Sequence, residues 1–148
     1  MLSDDFRDIL SAFTDAGVEY LIVGAYAMAA HGVVRATGDI DLWANPSQEN
    51  AARVVQALRA FGAPLHDTSV EDFARPDLVF QIGVAPHRID VLTGIDGVGF
   101  DEAWADRSII RLAGLDVPTL GRALLVVNKR ATGRRRDVDD ADRLEGLA

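Results

Sequence analysis

The sequence predicts an α/β (α+β) domain in which a small mixed central sheet is flanked by helices. Three observations lead there. Segments with apolar residues at helical spacing alternate with short runs of β-branched and aromatic residues. Glycines stand at most of the joins between them. Helical segments fall before, between and after the strands, so they must pack on a shared sheet. The chain has 148 residues, 49% of them apolar and 26% charged. That composition suits one globular domain over 1–148. No repeat, low-complexity tract or long linker divides it.

The elements follow in order. Residues 4–16 form a helix, because Phe6, Ile9, Leu10 and Phe13 recur at i, i+3, i+4 and i+7 and Gly17 stops it. "EYLIV" is a short strand, broken by Gly24, and "AYAMAAHG" is a short helix ending at Gly32. "DIDLWA" is the second strand. Pro46 and Ser47 open the next helix, with Ser47 as N-cap, a stripe of Val54, Val55, Leu58 and Phe61, and Gly62 at its end. "DLVFQIGV" and "RIDVLTG" make a meander with its turn around Pro86. "FDEAWAD" is a helical turn. "SIIRLAGLDVPTL" is an edge hairpin or extended segment bending at Gly114, and two helices split by Gly133 close the chain.

Charge and residue usage bound the function. The formal net charge is −8, which disfavours non-specific binding to nucleic acid or anionic membrane while leaving room for a local basic site. There is no cysteine, so disulfides and thiolate metal sites are excluded. The first ten residues do not read as a secretory signal, and the apolar runs are too broken to span a bilayer. A cytoplasmic location is expected.

Asp39 and Asp41 are the residues that ask for chemistry. Residues i and i+2 of a strand share a face, so Asp39, Asp41 and Trp43 point one way and Ile40, Leu42 and Ala44 the other, core-facing way. The two carboxylates start about 7 Å apart at Cα. Like charges that close are favourable only around bound cations. Asp90, in "RIDVLTG", joins the same surface if its strand lies beside "DIDLWA". Three oxygen donors suit a hard cation, Mg²⁺ or Mn²⁺. The alternative on the strand pattern alone is three solvated residues on an exposed sheet face. Upstream, Gly24 and Ala25 form a strand-to-helix step where backbone N–H groups can approach a phosphate.

Together these stretches carry a resemblance. "VGAYAMAAHGVVRATGDIDLWA" resembles the signature of polymerase-beta-like nucleotidyltransferases: a hydrophobic strand, Gly-Gly or Gly-Ser, a short helix, then Asp-hydrophobic-Asp. "RIDVLTG" is similar to the strand bearing that family's third acidic residue. Arg35, Thr37, Asp39 and Asp41, followed by Lys129 and "GRRRDVDD", resemble the pattern of small bacterial stand-alone domains. These include minimal nucleotidyltransferases and relatives of abortive-infection type IV toxins. The resemblance spans residues 18–143. One departure is Ala25, where catalytic members carry Gly or Ser; backbone N–H groups alone would hold the triphosphate there.

The resemblance implies a nucleotidyltransferase fold and transfer of a nucleoside monophosphate from an NTP to an acceptor hydroxyl, with pyrophosphate released. Asp39, Asp41 and Asp90 would be the catalytic and metal-holding residues. Gly24, Ala25, Arg35, Thr37 and Lys129 would bind the nucleotide. The acceptor is open among a protein side chain, an RNA 3′ end and a small molecule, and a partner protein or second subunit could complete the pocket. The rival is a non-catalytic nucleotide- or partner-binding module, such as a toxin–antitoxin component.

Other residues carry two readings each. Lys129 is a nucleotide contact or a lysine at a helix end. Arg35 neutralises triphosphate or pairs with the aspartates in a supporting role. Thr37 and Trp43 shape the pocket, or Trp43 packs under a helix. Arg134, Arg135 and Arg136 precede Asp137, Asp139, Asp140 and Asp142, which reads as a self-paired, solvated helix face. His31, His66 and His87 are too scattered for a metal motif; His31 reads as a helix terminus, and His87 lies near Asp90 in sequence.

Overall fold

The computed structural model describes residues 3–84 and 86–146. Six strands form a mixed sheet in the order β3-β4-β2-β1-β6-β5. They are β1 (Tyr20–Val23), β2 (Ile40–Ala44), β3 (Val79–Ile82), β4 (Ile89–Leu92), β5 (Ser108–Leu112) and β6 (Leu115–Thr119). Seven helices accompany them: α1 (Asp4–Asp15), α2 (Gly24–Ala30), α3 (Gln48–Phe61), α4 (Val70–Phe73), α5 (Phe100–Ala105), α6 (Arg122–Thr132) and α7 (Arg135–Leu144).

The helix signals act as the periodicity predicts. In α1, Phe6, Ile9, Leu10 and Phe13 are all at most 1% exposed, and Ser3 caps the helix by accepting from Phe6 N–H. Ser47 does the same for α3 through Asn50 N–H, and Gly62 ends it in the left-handed region. Of the predicted α3 stripe, Phe61 is only half-buried. The short α4 was not among the expected elements. It is held by the Asp72 carboxylate, which accepts from Ser69 N–H at 2.8 Å.

The expected meander is β3–β4, antiparallel, and β4 then runs parallel to β2. The "SIIRLAGLDVPTL" segment is a hairpin turning through Ala113 and Gly114, both at positive φ. Of the two hairpin strands only β5 lies at a sheet edge; β6 lies inside the sheet, parallel to β1.

Of the two readings of Trp43, packing under a helix holds. Trp43 shares its side of β2 with Asp41 but does not face solvent. It is 1% exposed and meets Phe100 of α5 edge-on at 5.0 Å. Because Ile40, Leu42 and Ala44 are buried as well, β2 is covered on both faces. Of β2 only Asp41 is partly open to solvent, as is Asp39 just before the strand. No described helix is long and apolar enough to cross a membrane.

Candidate active site

The site begins at the turn between β1 and α2. Gly24 has φ +69°, and a Cβ there would lie 2.2 Å from Asp41 Oδ2. Glycine is thus required twice, by conformation and by the carboxylate packed against it. Asp41 stands opposite Val23 of β1 on one side and Asp90 of β4 on the other. The parallel register of β2 and β4 therefore puts Asp41 and Asp90 side by side, although almost fifty residues separate them in the chain. Asp39 sits just before β2, where Thr37 Oγ1 accepts from its backbone N–H.

Burial and mutual repulsion mark this pair. Burial, then the charge and hydrogen bond of Asp90, then the charge of Asp39, push Asp41 from its ordinary 3.8 up to about 7, against the opposing charge of Arg88. Arg88 is the residue that sequence reasoning passed over. Its Nε donates to Asp90 Oδ1 at 3.0 Å and its Nη2 to Asp90 Oδ2 at 3.1 Å. The same Nη2 lies 3.2 Å from Asp39 Oδ2. The signal was available: Arg88 stands two residues before Asp90 and so shares its face.

A cleft opens beside Gly24 and Asp41. One lobe of about 440 Å³ is lined by Gly24, Ala25, Arg35, Asp41, Lys129 and Arg134, among others. A neighbouring lobe of about 320 Å³ shares Gly24, Asp41, Lys129 and Arg134 and reaches Leu92, Asp96 and Asn128. Helices α6 and α7 form the far wall. Another groove of about 390 Å³, between α1 and α3, contains none of the three aspartates.

The solvated-face reading of the C-terminal helix holds for Arg134, Arg135, Arg136 and Asp139, which are exposed, and is corrected for Asp137 and Asp140, which are buried in the far wall. Asp137 and Asp140 are 7% and 2% exposed. Lys129 Nζ lies 3.3 Å from Asp137 Oδ1 and 3.7 Å from Asp140 Oδ2. Arg35 pairs with Asp140, not with Asp39 or Asp41. Thr132 and Arg134 both donate to Asp137 Oδ2 at 2.8 Å. Burial alone would raise the Asp137 pKa, but Thr132, Lys129 and Arg134 outweigh it and hold it below 3.8. The sequence signal was the α7 stripe itself, since 137, 141 and 144 share one helical face with Ala141 and Leu144 in the core.

Of the residues singled out from sequence, Asp41 and Asp90 are set side by side by the β2–β4 register, Asp39 is joined to Asp90 through Arg88, and Gly24, Ala25, Arg35 and Lys129 line one lobe together with Asp41. Thr37 does not line it; it is exposed and braces the turn before β2. His31 ends α2 and meets Leu120 O at 2.8 Å. His87 turns away toward Phe6.

The donor chemistry of Asp39, Asp41 and Asp90 fits a hard divalent ion: carboxylate oxygens only, on adjoining strand starts. Their arrangement is not yet a cage. Among the described residues no three acidic, histidine or cysteine side chains converge to hold a metal. Instead both oxygens of Asp90 are taken by Arg88.

No sequence-family model and no curated protein matches the chain, but solved structures do. A nucleotidyltransferase candidate from Thermotoga maritima (TM1012) superposes with TM-score 0.60 at 15% identity, covering 95% of this chain and 88% of that one. The lincosamide antibiotic adenylyltransferase LnuA, solved with lincomycin bound, gives TM-score 0.60 at 13% identity over 100% and 99%. ANT(2″)-Ia, solved with adenylyl-2″-tobramycin, gives 0.59 at 16% identity over 96% and 91%. At such identities the likeness is one of fold.

Proposed function

We propose that this chain, which has the nucleotidyltransferase fold, transfers a nucleoside monophosphate from an NTP to a hydroxyl group of a small molecule. The observation that carries the reading is the in-register Asp41–Asp90 pair, with Asp39 joined to Asp90 through Arg88 and with Asp41 lining a cleft that Arg35 and Lys129 also line. Arg88 offsets the charge of Asp90 and Asp39 but makes no ion pair with Asp41 among the described residues, and a partly buried carboxylate beside two others is unfavourable, so a role in holding a cation explains Asp41 where a structural role does not.

Asp39 and Asp41 would hold a nucleotide-associated Mg²⁺ or Mn²⁺, and Asp90 would join them in holding a second ion. When bound, such ions neutralise the triphosphate and lower the pKa of the acceptor hydroxyl. Gly24 and Ala25 leave the backbone open to the phosphates. Arg35 and Lys129 supply positive charge beside them, and Arg35 Nε, buried and without a hydrogen-bond partner among the described residues, is a donor that needs an acceptor. Asp90 takes the hydroxyl proton as the oxygen bonds to the α-phosphorus in line; the bond to the β-phosphate breaks and pyrophosphate leaves.

A small-molecule acceptor is favoured over a nucleic acid on two grounds. The net charge of −8 repels a polyanion. The neighbours LnuA and ANT(2″)-Ia were solved with lincomycin and an adenylylated tobramycin. Ala25, lacking a hydroxyl, is the observation that favours the second reading, a non-catalytic nucleotide- or partner-binding module of the toxin–antitoxin type.

The test is incubation with α-labelled NTPs, Mg²⁺ or Mn²⁺, and fractionated small molecules, protein and RNA. Label enters the small-molecule fraction and disappears with Asp39→Asn or Asp41→Asn. Transfer undiminished by both substitutions removes the assignment. A rise in melting temperature with Mg²⁺–NTP but no transfer to any fraction selects the binding module.

A further inference from the structure

We propose that Arg88 is an exchangeable resident of the carboxylate cluster: it fills the cation position between Asp90 and Asp39, and a divalent ion enters only as Arg88 lets go. This rests on the divalent-ion reading above and adds a residue to it.

The geometry argues for exchange rather than fixed bracing. Arg88 binds Asp90 through two parallel N–H···O bonds of 3.0 and 3.1 Å, the fork geometry in which guanidinium pairs best with carboxylate. Its Nη2 reaches Asp39 as well. One side chain therefore connects two of the three carboxylates and draws them onto itself. That explains why the aspartates do not converge on a common point among the described residues.

The two partners differ in their freedom to move. The Asp90 side chain is 9% exposed, whereas that of Arg88 is 35% exposed and stands just before β4, at the end of the turn around Pro86. The buried carboxylate stays and the long, half-exposed cation can swing to solvent. A divalent ion brings twice the charge of a guanidinium to the same oxygens, so displacement is favourable once the ion is present. Without it, Arg88 keeps Asp39 and Asp90 from repelling each other and Asp41. A lysine would not substitute: its ammonium is a point charge and cannot make the paired contact.

The consequence is that metal affinity is lower than the three carboxylates alone would give. Breaking a charge-assisted bidentate pair corresponds to roughly 10- to 100-fold in affinity. The measurement is titration with Mn²⁺ alone, followed by the electron paramagnetic resonance of free Mn²⁺, for the native chain, Arg88→Met, Arg88→Lys and Asp41→Asn. Arg88→Met binds Mn²⁺ roughly 10- to 100-fold more tightly than native while melting lower in EDTA, and Arg88→Lys falls between them. A residue that merely orients Asp90 gives the opposite sign, and unchanged or weaker Mn²⁺ binding in Arg88→Met overturns the proposal.

Should Arg88→Met fail to fold, the native chain decides. The Arg88 Nε–H resonance, protected from exchange in EDTA, moves to the position and exchange rate of a free arginine at saturating Mg²⁺. A resonance that stays put overturns the exchange. Native binding of Mn²⁺ that is lost in Asp41→Asn, with Arg88→Met unchanged, removes the exchange and leaves the divalent-ion reading standing. Absence of Mn²⁺ binding in every variant removes both.

Discussion

Asp41 stays near neutral in metal-free solution because burial withholds water from its charge and Asp90 repels it across the β2–β4 ladder. Its folded-state pKa, about 7, is above its ordinary 3.8. Between those values the folded chain keeps a proton that the unfolded chain releases. The stabilising contribution is therefore complete below about pH 4 and is lost as pH rises through 7. Asp41→Asn removes that dependence. In EDTA at pH 8 it is expected to be more stable than native by up to about 4 kcal/mol, and the gain should shrink toward pH 5; urea unfolding at the two pH values checks it. A native chain that loses no stability over this range would show that the Asp41–Asp90 repulsion is relieved in some other way. At this scale the sequence was informative for Asp39 and Asp41, which the period-2 rule puts on one side, whereas the place of Asp90 beside Asp41 depended on the pairing of β4 with β2, which the sequence left as a condition. At Trp43 it left two readings, and the one with Trp43 packed under a helix holds; the rule says which residues share a side but not where along the strand the covering helix begins.

The loop from 83 to 88 has its own constraint, and it lies on Gly38. A Cβ at Gly38 would fall 1.5 Å from the Pro86 carbonyl oxygen, a backbone atom that cannot rotate away. Gly38→Ala must push apart the approach to β2, which carries Asp39, and the approach to β4, which carries Arg88. The expected result is a loss of several kcal/mol and, in any folded fraction, a weaker response to Mg²⁺–NTP in thermal unfolding. Gly24→Ala forms a useful contrast, since its Cβ meets the Asp41 carboxylate, a side chain that can shift at the expense of the site. It is expected to destabilise by about 1–2 kcal/mol for the left-handed backbone and to remove label transfer. Among the elements, α1, α3 and α6 were legible because each offers several turns of apolar spacing. Helix α4, one turn long, is shorter than any periodic window, and its mark was only Ser69 with Asp72 three residues on. The interior place of β6 was not legible either, since it depends on pairing with β1, nearly a hundred residues earlier.

At the scale of the molecule the cleft exists because α6 and α7 pack as a hairpin across the end of the sheet, and the packing is polar at its centre. Lys129 has two claims on it: the buried Asp137 and Asp140, and any phosphate entering beside Gly24. Substitutions separate these claims. Asp140→Asn leaves Arg35 and Lys129 short of a buried partner, and removing one member of such a pair costs about 3 kcal/mol, so the melting temperature falls. It also removes a negative charge from the nucleotide lobe, so the upward shift produced by Mg²⁺–NTP should persist or grow. Lys129→Ala reverses the pattern at the ligand. It too lowers the melting temperature, because Asp137 and Asp140 lose a counter-charge, but the shift produced by Mg²⁺–NTP diminishes. Differential scanning fluorimetry of both variants over a nucleotide titration makes the comparison. If Lys129→Ala retains the native ligand response, Lys129 is a strut between α6 and α7 alone, and the positive charge facing the triphosphate must come from Arg35 and Arg134.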